Sequence, residues 1–471
     1  MAVDTPAKRV ARLEWSVINM DQYSERNPYA DHLVEINKYN PVLTTQDICN
    51  NRGATVVPKG TYLTEDVANK IARFQLELPI ELQVSLASTV SPSELFDSIR
   101  KAQNKVLKGL DRMDLTKELV RQCGLISAYP LLSQKLTVFA DRLSPRFNST
   151  QSATGFAILI ALELGLNDED MEVVFTATQM HDAGFLNIDP DIAAIFDKLP
   201  DSEKRQMYVQ QLSLGGEFLE NIPNLSERVG RAVKEHKERK DGSGWPQGII
   251  GDKHSLDAQV VGLAVMLDEA YRKKLRPRGY GPSQLIPLIQ AESEAVDRDI
   301  CHAVVEMLRK NAQGLAQVIP IEFMPKLSRY LVVQQRFMVH WLELAKQCAV
   351  GMREVQSIAQ TERSMLIITG LEELYRNSGL WDSEVRRWLS EAADCLEVEH
   401  NARECEELEV VALLLETVLD KLKALQWSMR DAAKKVGSDW INRCDDLASL
   451  LYSIPKDHFE AFETYSCFAE E

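Results

Sequence analysis

Between about residue 140 and residue 315 the chain reads as one helix after another, and a single stretch, DGSGWPQGIIGD at 241–252, breaks the pattern. Its glycines and proline cannot continue a helix, so the chain must turn back there through one loop between helices. The helices ahead of the loop are marked in the sequence. ATGFAILIALELGL (153–166) is the most apolar stretch, yet it carries Glu163 and falls short of the ~20 residues that a membrane span needs. It reads as a buried helix. Asn167 then looks like an N-cap, with Asp168, Glu169 and Asp170 in the first turn and Met171, Val174 and Phe175 on one face. That helix delivers His181 and Asp182, within TQMHDAGFLNI (178–188), at its C-terminal end, where Gly184 is expected to stop it.

At 471 residues the chain is too long for one ordinary core. Residues 1–40 read as a polar arm. Residues 41–135 read as a small α/β unit followed by helices: an Asn51–Arg52–Gly53 turn lies between β-prone runs, and Thr64 caps a helix whose first turn holds Glu65 and Asp66. Residues 316–471 read as a helical bundle, in which Leu413, Leu414, Leu415, Val418, Leu419, Leu422 and Leu425 make one dense face. The expected fold class is mainly α: a helical domain over 136–315 flanked by the α/β unit and the bundle.

Charge and cysteine usage narrow the classes of function. A net charge of −16 disfavours a nucleic-acid partner or an anionic membrane. The 8 cysteines form no C-x-x-C pair, which speaks against structural zinc and a disulfide framework and for buried reduced thiols. Cys395 and Cys405 show no metal-ligand spacing and receive no role. The opening MAVDTPAKRVARLEW has no apolar core of a signal peptide, so a cytoplasmic location is expected.

A neutral imidazole beside a carboxylate suits divalent iron, manganese or zinc. With 8 histidines and 70 acids in the chain, one such adjacent pair is expected by chance roughly once, so the pair needs context. The context is HKERKDGSGWP (236–246), about fifty residues downstream, with VDRDICHAVVEML (296–308) after it. Together these resemble the HD-GYP domain, a branch of the HD phosphohydrolase superfamily known for opening cyclic di-GMP, over about 140–310. The resemblance implies a fold and a metal-ligand set, and the ligand set is incomplete here. The family's first His falls on Ser149 or Asn148. His181 and Asp182 are present, but the phosphate-directed Lys that follows them is Phe185. A further His lands near Gln211. The second signature keeps His236 and has Lys237 as its partner, and the late family Asp is Val265, with Asp268 surviving after it. A di-metal centre needs about six ligands to hold two cations around one water. His181, Asp182, His236 and Asp268 are therefore vestigial metal candidates, and no cofactor is expected.

The loop supplies the second set of candidates: Lys237, Arg239, Asp241, Gly242, Ser243, Gly244, Trp245 and Pro246, as a ligand- or partner-binding rim. The basic residues read either as phosphate contacts, with the Gly242 and Gly244 amides open to an anion, or as a solvated helix end. Trp245 reads either as a stacking surface or as a plug for the loop. His254 is expected to be exposed, and RKKLRPRGY (272–280) to be a solvated loop. The expected function is binding without catalysis: of cyclic di-GMP, or of a protein partner such as the GGDEF-domain proteins the family contacts, with a homodimer through the bundle also open. The rival expectations are a metal-dependent phosphodiesterase or phosphatase using His181, Asp182, His236 and Asp268 in a remodelled site, and a scaffold that binds no nucleotide.

Overall fold

The computed structural model describes residues 27–103, 113–194, 196, 199, 201–311, 318–380, 382–394 and 402–454. Most of the polar arm, Cys395 and the last part of the bundle segment lie outside these residues. The chain divides into two compact units, 1–159 with 167–234, and 160–166 with 235–471, so the segment expected as one helical domain is shared between them.

In the first unit, helix α1 (Pro28–Asn37) precedes two small antiparallel pairs. Strand β1 (Val42–Thr44) pairs with β4 (Val84–Leu86), Val42 opposite Leu86, and β2 (Ile48–Cys49) pairs with β3 (Thr55–Val57). Gly53 stands at φ +76° in the turn of the second pair. Helix α2 (Glu65–Ile71) starts where Thr64 accepts the Val67 N–H. Helix α1 corrects the reading of an arm up to residue 40. The Asn27 side chain caps it, a proline opens it, and Tyr29, Leu33 and Ile36 bury one face at helical spacing.

Helices α3 (Pro92–Gln103), α4 (Met113–Ile126), α5 (Pro130–Arg142), α6 (Ser144–Glu163) and α7 (Asp168–Met180) follow. The Asn167 side chain accepts the Asp170 amide at 3.0 Å, as the sequence predicts for the start of α7. After a short turn and α8 (Pro190–Ala194), α9 (Asp201–Glu220) and α10 (Glu227–Glu235) close this part of the chain.

The second unit holds the glycine loop, α11 (Leu256–Ala270), α12 (Leu285–Ala291) and α13 (Arg298–Asn311). The bundle then follows: α14 (Met324–Val355), α15 (Ala359–Asn377), α16 (Ser383–Asp394), α17 (Ala402–Val436) and α18 (Ser438–Leu451). Leu331, Trp341, Ile367, Leu371, Leu419 and Leu422 belong to one continuous bundle core. Burying such side chains contributes about 1.5–3 kcal/mol each. The Trp341 indole N–H stays satisfied by donating to the Leu447 carbonyl at 2.9 Å. No helix among the described residues is long and apolar enough to cross a membrane.

Candidate functional site

The candidates belong to both units, His181 and Asp182 to the first and the others to the second. In the first unit, α7 ends at Met180 and His181 is its C-cap. The His181 Nδ1 lies 2.7 Å from the Thr178 carbonyl and donates to it. Its Nε2 lies 3.8 Å from the Asp182 carboxylate. Both residues are buried. The Gln211 side chain, from α9, donates to the His181 carbonyl at 3.2 Å.

A cation from the chain itself faces Asp182. Arg146, in the first turns of α6, places Nη1 3.2 Å from Asp182 Oδ2. Its guanidinium lies 3.6 Å from the centre of the Phe185 ring and 4.7 Å from that of Phe196. Phe185, Phe196 and Tyr208 pack edge to face beneath it. Burial would lower the Arg146 pKa, but Asp182 and Tyr208 outweigh it and hold the guanidinium above its ordinary value. Sequence reasoning missed Arg146. The signal was Phe185, an aromatic ring where a lysine was expected, which gives a guanidinium a face to stack on. Ser149 does not supply a ligand here: its hydroxyl donates to the Pro145 carbonyl of its own helix at 3.0 Å.

Gly184 has a different reason from the one expected. It stands in a short 3-10 turn, Ala183–Asn187, rather than at a left-handed helix stop. A Cβ there would lie 2.0 Å from the Gln211 carbonyl oxygen, so glycine is required for close approach to α9. The far end of the same turn is tied to the N-terminal segment. Asn187 donates to Glu81 at 3.0 Å, and both accept from Lys135 Nζ, at 2.9 and 3.3 Å. Lys135 is only 1% exposed and also lies 4.1 Å above the Tyr29 ring.

In the second unit, His236 is fully buried, and its carbonyl meets the backbone of α11 so closely that Gly262 has no room for a Cβ. Asp268 is also buried and accepts from Arg272 at 3.2 Å. Val265 is buried in the same helix. The glycine loop then folds around two charged side chains. The Glu238 carboxylate accepts the backbone N–H groups of Gln247, Gly248 and Ile249 at 2.5–3.0 Å, so it is the anion of this loop. From the bundle, Arg363 on α15 donates to the Gly242 and Gly244 carbonyls. Burial holds its pKa below the ordinary value, against the pull of Glu238, Asp431 and Asp241.

This corrects the expectation that the Gly242 amide is open to an anion: it donates to the Arg239 carbonyl at 2.9 Å, and Gly244 is packed onto the Glu238–Arg239 backbone. The basic residues are no solvated helix end either. Arg239 turns inward to the His236 and Glu238 carbonyls, and Lys240 pairs with Asp297 at 3.1 Å. His254 is buried, not exposed, because it sits directly before the Ser255 cap of α11 and its carbonyl accepts from Gln259. RKKLRPRGY keeps Lys273, Lys274 and Arg276 exposed, as expected, but two of its cations are also tied to α17. Lys274 pairs with Asp420 at 2.5 Å and Arg278 with Glu416 at 2.9 Å, carboxylates one turn apart on α17.

Lys237, Arg239, Ser243, Gly244 and Trp245 line one cleft of about 460 Å³, whose other wall includes Thr417, Asp420 and Lys421 of α17. Trp245 is half-buried at this cleft and Pro246 is exposed, while Asp241 accepts the Ser243 amide at 2.8 Å. The structure thus gathers most of the loop candidates at one cleft. His181 is held by the Thr178 carbonyl, Asp182 by Arg146 and Asp268 by Arg272, each within its own unit.

Among the described residues, no group of three or more His, Cys, Asp or Glu side chains is arranged to hold a metal ion. Residues 136–300 match the family described as HD domain. The chain is 32% identical over 111 residues to the cyclic di-GMP phosphodiesterase response regulator RpfG of Xanthomonas campestris pv. campestris, covering 23% of this chain and 29% of that protein. It is 22% identical over 197 residues to the cyclic di-GMP phosphodiesterase PdeB of Borreliella burgdorferi, covering 38% and 50%. It is 30% identical over 179 residues to the 3'3'-cGAMP-specific phosphodiesterase 3 of Vibrio cholerae, covering 35% and 37%. The chain thus spans half or less of the length of these curated relatives. With its helical build, its His181–Asp182 pair at a helix end and this match, the segment 136–300 is an HD domain.

Proposed function

We propose that this chain is an HD-GYP-like signalling protein that binds a cyclic dinucleotide without hydrolysing it. The observation that carries this reading is the Arg146 guanidinium at 3.2 Å from Asp182. An HD phosphohydrolase uses that carboxylate to hold a divalent cation; here it already faces a fixed positive charge that rests on Phe185. A metal ion would have to displace or repel that charge. Lys237 and Val265 stand where the resemblance implies ligands, and the residues present do not fit a di-metal centre. The relatives named for cyclic di-GMP and 3'3'-cGAMP support a cyclic dinucleotide as the ligand.

One observation favours the rival reading, a metal-dependent phosphodiesterase. His181 donates Nδ1–H to a backbone carbonyl, the hydrogen bond that metal-ligating histidines commonly make through their other ring nitrogen. Metal content separates the two. Plasma mass spectrometry of chain purified without chelator is expected to find well below one iron, manganese or zinc per chain, with no opening of cyclic di-GMP. Arg146→Ala, which leaves Asp182 without its cation, is expected to raise Mn²⁺ affinity about tenfold. About two ions per chain in the wild type, with hydrolysis lost in Asp182→Ala, would establish the phosphodiesterase instead.

A further inference from the structure

A second cavity, of about 360 Å³, lies within the first unit, between α9 and the segment that joins α2 to β4. Leu214, Glu217 and Phe218 line it from α9, where spacings of three and four put them on one side of the helix. Phe74 and Leu78 line it from the joining segment. They are 44% and 43% exposed, large apolar side chains that the fold leaves open to water. Glu81 and Asn187 add two polar groups. Apolar walls with a few convergent polar groups are the common build of a small-molecule site, and this volume is in the range of such sites.

Glu81 is buried and ionised. Burial would raise its pKa, but Lys135, its own backbone N–H and Asn187 outweigh that and hold it below the ordinary value. A carboxylate has about four acceptor sites. Lys135 Nζ at 3.3 Å and Asn187 Nδ2 at 3.0 Å both fall on Oε1, and the backbone N–H takes one more. One acceptor site is left for an occupant. The charge itself is already matched by Lys135, whose ammonium also stands over the rings of Tyr29 and Phe218. A second cation therefore gains little at Glu81, and an anion meets both Glu81 and the exposed Glu217, which accepts the Ser213 hydroxyl at 2.7 Å. The occupant that fits is neutral.

We infer that this cavity binds a small neutral molecule with an apolar body and one O–H or N–H donor, of which phenols are the simplest class. The donor lies on Glu81 and the body among Phe74, Leu78, Leu214 and Phe218. Asn187 ends the turn that starts directly after Asp182, so the occupant lies against the far end of that turn. Such a site is separate from dinucleotide binding and does not depend on it.

Methyl NMR of the full chain with p-cresol at millimolar concentration tests it. The controls are 4-methylanisole, the same body without the donor, and p-toluate, an anion of similar shape. p-Cresol is expected to shift the Leu78 and Leu214 methyls and p-toluate to leave them in place. 4-Methylanisole is expected to bind about tenfold more weakly, as loss of a hydrogen bond to a charged group does. Leu214→Trp fills the cavity from the half-buried face of α9 and should abolish the shift at Leu78. Leu78→Trp, at an exposed position, should abolish the shift at Leu214, and circular dichroism checks that each variant keeps its helices. Equal affinity for p-cresol and either control would overturn the site. So would p-cresol binding that survives both tryptophan variants, or no shift at either leucine in the wild type.

Discussion

The surroundings of His181 and Asp182 and the cleft beside Trp245 treat charge in opposite ways. Around the first, each buried charge has a partner from within the chain: Arg146 for Asp182, Lys135 for Glu81. At the second, two cations approach one carboxylate: Lys421 and Arg239 lie 3.1 and 3.7 Å from Glu292. Internally matched buried charge resists added ions, because a newcomer must break a pair in a medium of low dielectric.

The sharpest way to break this contrast is to unmatch the buried region. Lys135→Met leaves the Glu81 carboxylate buried with only Asn187, and is expected to cost about 3–5 kcal/mol in urea denaturation. A loss below about 1 kcal/mol would mean that this region does not depend on its internal pairing. The second effect is in pH. His32 is buried in α1, and Arg142 donates to its Nδ1 at 3.4 Å. Burial first, then Arg142 and Lys135, hold its pKa at about 4, down from 6.5. The native state therefore binds this proton less readily than the unfolded chain. Stability is full above pH 6.5 and falls as the pH drops toward about 4, by up to roughly 3 kcal/mol. Denaturation midpoints across that range check it, and His32→Gln should flatten the curve.

The smallest effect concerns the loop. Gly248 stands at φ +69° and a Cβ there would lie 2.3 Å from the Arg363 guanidinium, whereas Gly251, at φ +65°, has nothing within 4 Å. Gly248→Ala is expected to cost about 1–3 kcal/mol, and Gly251→Ala about 1 kcal/mol from backbone strain alone. Hydrogen exchange should rise at the Gln247, Gly248 and Ile249 amides in the first variant only. Equal effects in both would remove Arg363 from the account of the loop.

Local signals made the helices legible. Asn167 and Thr64 as caps, the turn at Gly53 and the leucine face of α17 could all be read because each depends on near neighbours in sequence. What escaped was charge that acts across long separations. Arg146 reaches Asp182 from 36 residues away, Arg363 reaches Gly242 from 121, and Arg278 reaches Glu416 from 138. Nothing in a window around any of these residues names its partner. For the same reason RKKLRPRGY gave no sign of its ties to α17: the acids that hold it lie on another helix. His254 looked exposed because polarity was the only local cue. Gly184 was read as a helix stop because a glycine after a helix has that use, while the backbone it lets in belongs to α9.

The Arg363 clamp makes α15 a lever. From Arg363 to the end of that helix is roughly 21 Å at 1.5 Å per residue. A tilt of about 5° around its far end would shift the guanidinium by roughly 2 Å, more than a hydrogen bond tolerates. The grip on the Gly242 and Gly244 carbonyls is therefore held or lost over a few degrees of helix motion.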